Sequence, residues 1–251
     1  MITNLKDRAA LVTGGANGVG REICLSLAAE GAAIAVNYRS SRDEAETLAE
    51  EIRSNGGKAI AVGADVADLD AVRSMVDRVG SEFGRLDVLV NNAGIAIRNR
   101  FTDTTPDEWR RQIDACLYGM IHCCHASAPL LERGGAGRII GVVGDSSRVG
   151  ESGLSIVAAA RAGMIGLAKS LAREMGRSGV TANIVSLGLI ETAHDREWVE
   201  ENRAKLVKLY PTRRLGQPSD IAPIVTTLAS DGGAWITGQV ISVSGGFSMV
   251  G

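Results

Sequence analysis

Thr13-Gly14-Gly15-Ala16-Asn17-Gly18-Val19-Gly20 stands between a short apolar run, Ala9 to Thr13, and a helical segment, Val19 to Glu30. A glycine pattern is informative in that position, between a buried strand and the start of a helix. There the backbone N–H groups of a helix N-terminus can face a pyrophosphate closely, where a Cβ would collide. The helix ends at Gly31, a plausible C-cap.

Outward from this turn, strands and helices alternate to the end of the chain. Ala32 to Asn37 reads as the second strand. Ser41 is expected to cap a charged helix that runs to Ser54, and Lys58 to Gly63 is the third strand. Asp68 opens a helix over Leu69 to Phe83, with Val72, Val76, Val79 and Phe83 at helical spacing. Leu86 to Val90 is the fourth strand. Pro106, where a missing N–H costs nothing, starts one long helix expected to continue to Leu131. Ile139 to Val143, Thr181 to Ser186 and Gln239 to Val243 complete seven strands, with helices over Ala158 to Met175 and Pro218 to Ser230. Such alternation predicts a single α/β domain over residues 1–251, a doubly wound parallel sheet with helices on both faces. A charged insertion of helical character spans about 191–210.

The chain of 251 residues is 45% hydrophobic, enough to bury a large core without disulfides. A net charge of −2 gives no electrostatic footprint for nucleic acid. The first residues hold no apolar signal core, and no apolar run approaches the ~20 residues of a membrane span. Cys24, Cys116, Cys123 and Cys124 do not form a disulfide framework, so a reducing cytoplasm is expected. His122, Cys123, Cys124 and His125 could share a helix face, but without a second cluster they read as a packed or interface-facing stripe, with no metal. His194 reads as a surface residue.

Three pieces in order carry a resemblance: the glycine-rich turn, Asn91-Asn-Ala-Gly94 after the fourth strand, and Gly144-Asp-Ser-Ser-Arg-Val-Gly-Glu-Ser-Gly-Leu-Ser-Ile-Val157-Ala-Ala-Ala-Arg161. Together they resemble the short-chain dehydrogenase/reductase family, with its Rossmann fold, over nearly the whole chain. The resemblance implies dinucleotide contacts at Gly14, Asn17, Gly18, Gly20, Asp65, Asn91, Ala93, Gly94 and, for the carboxamide, Thr192. Arg39, at the end of the second strand, could pair with a 2′-phosphate, which favours NADP over NAD; the alternative is a solvated arginine opening a charged helix. The insertion at 191–210 falls where the family has its substrate lid.

The family's Ser, Tyr, Lys and helix Asn fall on Gly144, Val157, Arg161 and Cys116. In the family the Tyr protonates the forming alkoxide, the Lys lowers its pKa, the Ser orients the carbonyl and the Asn holds a water relay. Val157 can neither donate nor accept, and Gly144 lacks the orienting hydroxyl. Loss of a general acid costs roughly 10²–10⁴ in rate, about 3–5 kcal/mol. Asp145, Ser146, Ser147 and Ser155 lie close in sequence; Ser146 or Ser155 could orient a substrate but not readily protonate it. Leu187-Gly188 replaces the family's Pro-Gly beside the nicotinamide.

These changes predict a catalytically silent subunit with no catalytic residue of its own. Its expected partner is an active paralogue in a heterotetramer, with a self-dimer as the simpler assembly. Ala158, Ala159, Ala160, Ala162, Gly163 and Gly166 suit close helix packing at such a seam. The tail from Ile236 resembles two-subunit hydroxyacyl-CoA dehydrogenases with one silent chain, such as that acting on hydroxybenzylsuccinyl-CoA in anaerobic toluene degradation. Two alternatives stand beside this expectation: an active NADP-dependent oxidoreductase with a non-standard proton donor, and an NADP-responsive binding protein.

Overall fold

The computed structural model describes residues 3–192 and 196–250. Seven parallel strands form one sheet: β1 (Ala9–Val12), β2 (Ala33–Tyr38), β3 (Ala59–Gly63), β4 (Val88–Asn91), β5 (Arg138–Gly144), β6 (Thr181–Leu187) and β7 (Val240–Val243). Their spatial order is β3-β2-β1-β4-β5-β6-β7, so the chain reverses its direction of winding between β1 and β4. Crevices that accept ligands open at the carboxyl ends of strands beside such a switch point.

Each strand is apolar on both sides because both sheet faces are covered. Leu11, Leu89 and Ile139 pack on one face with α3 (Leu69–Phe83), α5 (Gly119–Arg133) and α7 (Ser155–Glu174). Their neighbours Val12, Val90 and Ile140 point the other way, toward α1 (Gly18–Ala29), α2 (Arg42–Ser54) and α9 (Pro218–Ala229). The alternation follows from the two-residue period of a strand.

Local signals set the helix starts. Asp68 caps α3 by accepting from the backbone N–H groups of Asp70 and Ala71. Thr105 and Glu108 form a reciprocal capping box ahead of α4 (Pro106–Ile113). Ser41, in contrast, makes no capping bond to α2; its hydroxyl accepts from the Asn17 side-chain amide instead.

Three features differ from expectation. The single helix expected over Pro106 to Leu131 is interrupted by a π-helical turn, Asp114–Tyr118, between α4 and α5. Gly119 sits against Val66 there, with room for no Cβ, and the widened turn presents Cys116 inward. A short helix, α6 (Ser146–Val149), follows β5 unannounced, closed by N–H groups of Arg148 and Val149 on the Asp145 carbonyl. Finally, α7 is long and apolar enough to cross a membrane by length and composition, although no such run was expected. Its Val157, Ala160, Met164, Ala168 and Ala172 are buried in the core beneath the sheet. The lid insertion contains α8 (Arg196–Leu206), and His194 lies outside the described residues.

Candidate active site

The β1–α1 turn is built for close approach. A Cβ on Gly20 would stand 2.3 Å from the Gly14 carbonyl oxygen and 2.6 Å from Asn92 Nδ2, so only glycine fits. Asn37 ties the turn to the sheet: its Oδ1 accepts from the Gly14 N–H and its Nδ2 donates to the carbonyls of Val62 and Ala64. Thr13 Oγ1 accepts from the N–H groups of Asn92 and Ala93, each at 3.0 Å, and Asn92 Nδ2 donates to the carbonyls of Thr13 and Gly14. The loops after β1 and β4 are thereby locked together.

Asn17 occupies the N-cap of α1 but its side chain caps nothing, and no acid lies in the first turn. The N–H groups at this helix start are left without a side-chain acceptor, which suits a phosphate. A cradle that a Cβ would fill and free helix-terminal donors together fit a dinucleotide pyrophosphate.

The other expected contacts border this cradle unevenly. Gly18 faces Thr192, whose Cγ2 is 3.4 Å from the position of a Gly18 Cβ, so the start of the lid segment meets the turn. Arg39 is exposed at the end of β2 and makes no hydrogen bond or ion pair with a described residue. The Asp65 carboxylate accepts from the Ala67 N–H in the turn after β3. Asn91 departs from expectation: it is buried, its amide faces Cys124 Sγ, and its Oδ1 has no partner. The polar side chains that organise the turn are those of Asn92 and Asn37, which sequence reasoning did not single out.

Across the switch point, three of the four reaction positions, Cys116, Gly144 and Arg161, come together. Arg161 on α7 reaches the end of β5, where its Nη1 is 3.0 Å from the position of a Gly144 Cβ, and its Nη2 is 3.8 Å from that of a Gly94 Cβ. Ser146 Oγ lies 3.4 Å from the same point beside Gly144. A guanidinium and a hydroxyl thus converge where residue 144 has no side chain. Cys116 Sγ is 3.1 Å from the position of a Gly94 Cβ and donates to the Ile95 carbonyl at 3.5 Å. Val157, one turn before Arg161 on α7, is fully buried.

The carboxylates nearby are engaged elsewhere. Asp145 is 1% exposed and accepts from the hydroxyls of Ser186 and Ser242. Glu151 pairs with Arg98 at 2.6 Å, and the Arg98 guanidinium lies 5.6 Å from the centroid of the Trp198 ring in α8. Arg98 therefore joins the loop after β4, the loop before α7 and the lid. Tyr210 accepts the Leu189 N–H on its hydroxyl and stacks on Phe247; burial pushes its phenol pKa up.

His122 Nδ1 meets the Val66 carbonyl at 3.0 Å, and Cys123 and Cys124 are buried in the core. Among the described residues no group of three potential ligands could hold a metal. A groove of about 770 Å³ opens at the opposite, amino end of the sheet, lined by Lys6, Arg8, Lys58 and Arg85. It is remote from both the glycine turn and the reaction centre.

Comparison with known proteins accords with this architecture. The family described as Enoyl-(Acyl carrier protein) reductase matches residues 14–248. A 3-oxoacyl-[acyl-carrier-protein] reductase FabG of Staphylococcus aureus is 42% identical over 242 residues, covering 96% of this chain and 98% of that protein. The FabG reductase of Escherichia coli is 36% identical over 247 residues, covering 98% and 100%. A blue fluorescent protein from a metagenomic library, solved in complex with NADPH, superposes with a TM-score of 0.92 at 35% identity, covering 98% and 100%. A short chain dehydrogenase from Burkholderia cenocepacia in complex with NADP gives 0.91 at 35% identity, covering 97% and 99%.

The expectation of a catalytically silent subunit is corrected by these relatives. Proteins 36–42% identical over nearly the full length are named as reductases, which favours an active NADP-dependent oxidoreductase. The expectation weighed the changes at Cys116, Gly144, Val157, Arg161 and Leu187, and allowed Ser146 or Ser155 only as an orienting hydroxyl. It did not foresee that folding would bring the Arg161 guanidinium to the vacated point, beside that Ser146 hydroxyl.

Proposed function

The chain belongs to the short-chain dehydrogenase/reductase family, and from that membership we propose that it is an NADP-linked oxidoreductase of 3-oxoacyl thioesters with a non-standard means of neutralising the alkoxide. A bound NADPH would supply a hydride to the substrate carbonyl carbon. The glycine turn and the N-terminus of α1 would hold its pyrophosphate, and Arg39 its 2′-phosphate.

The observation that carries the reading is the convergence of Ser146 Oγ and Arg161 Nη1 beside Gly144. Ser146 replaces the missing orienting hydroxyl from two residues further on. The Arg161 guanidinium presents its N–H donors where negative charge develops on the carbonyl oxygen. Neither group is an acid of suitable strength, so the proton comes from solvent at the cleft mouth while Arg161 stabilises the alkoxide. The cost relative to a tuned general acid is on the order of 10²–10⁴ in rate.

The test follows NADPH oxidation by acetoacetyl-CoA, with nucleotide binding measured separately by calorimetry. Slow saturable turnover is expected, falling at least about tenfold in Arg161→Ala while NADPH still binds. Equal turnover by Arg161→Ala would overturn the mechanism. Binding with no turnover would leave a nucleotide-responsive binding protein.

Two further parts of the reading concern context. Four free cysteines fit a reducing cytoplasm. Ala159, Ala162 and Gly166 lie exposed on α7 and suit close packing with a helix of a second subunit, either another copy or a paralogue. Native mass spectrometry alone and in mixtures with paralogues distinguishes the two.

A further inference from the structure

The segment between Leu189 and Tyr210 lies across the cleft. Thr192, near its start, meets Gly18 of the glycine turn, and the Arg98 guanidinium, from the loop after β4, lies over Trp198 of α8. One side chain brings the two ends of the segment together. The Tyr210 hydroxyl accepts the Leu189 N–H at 2.9 Å, so the residue that closes the segment holds the residue that opens it. Ile190 pairs with Gly216 there; the Gly216 N–H donates to the Leu189 carbonyl at 3.0 Å and the Glu191 N–H to the Gly216 carbonyl at 2.9 Å. The lid leaves and rejoins the body of the protein at one fixed base.

That base is built on the chain's own tail. The Tyr210 ring stacks on Phe247 with centroids 5.4 Å apart. It also packs on Gly188, where a Cβ would stand 3.0 Å from Tyr210 Cε1 and 3.1 Å from the Cα of Ser244. The Thr212 N–H donates to the Gly245 carbonyl at 3.2 Å. Gly245 and Gly246, at φ +56° and +86°, leave no room for a Cβ against Thr212 and Pro211, so this close turn of the tail needs glycine. Ser242 Oγ lies 2.9 Å from Ser244 Oγ and 2.9 Å from a carboxylate oxygen of Asp145, and Arg148 of α6 donates to the Val250 carbonyl. The tail thus touches the lid base on one side and, on the other, the segment that carries Ser146. A buried phenol that is both stacked and hydrogen-bonded is fixed in position and in rotation, which is what holding one loop against another requires.

We propose that Tyr210 is a positioning residue: clamped by the tail residues Ser244 to Phe247, it fixes the Leu189 peptide and with it the height at which the lid covers a substrate beside Ser146 and Arg161. The inference rests on the oxidoreductase reading for the reaction that the lid serves, but the clamp itself is read without turnover. Tyr210 acts through Leu189 and not on a reacting atom. Its loss should therefore weaken the hold on substrate rather than slow the chemical step.

The experiment compares the full-length chain with Tyr210→Phe, which deletes only the hydroxyl, and Phe247→Leu, which deletes the stacked ring and keeps an apolar side chain. Hydrogen exchange should quicken about 2–10-fold over residues 189–192 and 196–206, the net worth of one hydrogen bond, and stay unchanged over β1 and β4. With acetoacetyl-CoA and NADPH, the KM for the thioester should rise by a similar factor while kcat changes by less than about twofold. Phe247→Tyr, which keeps the ring, should match the parent chain in both readouts. Unchanged exchange in both variants overturns the clamp, as does a Phe247→Tyr that behaves like Phe247→Leu. Exchange that quickens equally throughout the chain, or lid loosening with no rise in KM, overturns the positioning role and leaves Tyr210 a core residue. A parent chain without turnover whose lid still loosens in Tyr210→Phe keeps the clamp and sinks the oxidoreductase reading; turnover with an unloosened lid does the reverse.

Discussion

Ser242 Oγ, near the end of β7, lies 3.1 and 2.9 Å from the two carboxylate oxygens of Asp145, just past the end of β5. Ser186 of β6 donates to the same carboxylate, and Ser244 continues the chain of hydroxyls to the Ser248 N–H. One buried side chain therefore fastens three adjacent strand ends and the tail. Removing it strands two hydroxyl donors. Asp145→Ala is expected to cost about 3 kcal/mol, and Asp145→Asn about half of that because one acceptor remains. Urea unfolding of the three proteins measures this, and a loss below about 0.5 kcal/mol for the alanine variant would show the network to be dispensable.

The glycine turn makes its own prediction. Gly20→Ala forces a Cβ into the Gly14 carbonyl, so nucleotide binding should disappear and the melting temperature should fall. Arg39→Ala should weaken NADP by tenfold or more while leaving NAD unchanged. Calorimetric titration with both nucleotides reads each outcome, and equal losses for NAD and NADP would remove Arg39 from the 2′-phosphate.

Buried thiols set the alkaline limit. Burial raises the pKa values of Cys24, Cys123 and Cys124, that of Cys124 to about 12. Their folded values lie above the unfolded value near 8.5. The associated stability is complete below that pH and is lost as pH rises toward the folded values, by about 1.4 kcal/mol per pH unit for each thiol. Urea midpoints between about pH 8 and 10.5 should decline steadily, and Cys123→Ala should flatten the slope by one thiol's share. A flat profile would contradict the burial.

Restoring a tuned acid should be visible against the slow arginine route. Gly144→Ser, Val157→Tyr and Arg161→Lys together replace the crowded guanidinium with a shorter amine and add a phenol. Turnover of acetoacetyl-CoA with NADPH should rise by about 10² or more. No rise, with NADPH binding intact, would mean that the cleft above the buried Val157 has no room for the ring.

Arg98 provides a last handle, on the lid. It pairs with Glu151 and lies over Trp198, so Arg98→Ala should loosen α8. Faster hydrogen exchange over residues 197–206 is the expected readout. Unchanged exchange would show that the hydrophobic contacts of Val199 and Tyr210 hold the lid by themselves.

The sheet was legible because strands buried on both faces read as apolar runs, and α3 because Asp68 opens it and Val72, Val76, Val79 and Phe83 recur at helical spacing. The π-turn at Cys116 was not; the contact that adjoins it, Gly119 pressed on Val66, is distant in sequence. The roles of Asn37 and Asn92 were hidden for the same reason: their partners lie on other strands. At the reaction centre the residue identities were plain, but their meaning depended on where the arginine ends. A gapless reading counts the groups missing at residues 144 and 157. Only folding shows that Ser146 and Arg161 meet at the first of them.

The reversal of winding between β1 and β4 has a further consequence. The glycine turn and the start of α1, which would cradle the nucleotide pyrophosphate, spring from β1 and are tied by Asn92 to the loop after β4, whereas Gly94, Gly144, Ser146 and Arg161 lie in that loop, at the end of β5 or beyond. Mutational drift at residues beyond β4 that do not touch Thr13 or Gly14 need not disturb the turn. The chain can keep its socket for a common reagent while the tool fitted opposite is exchanged.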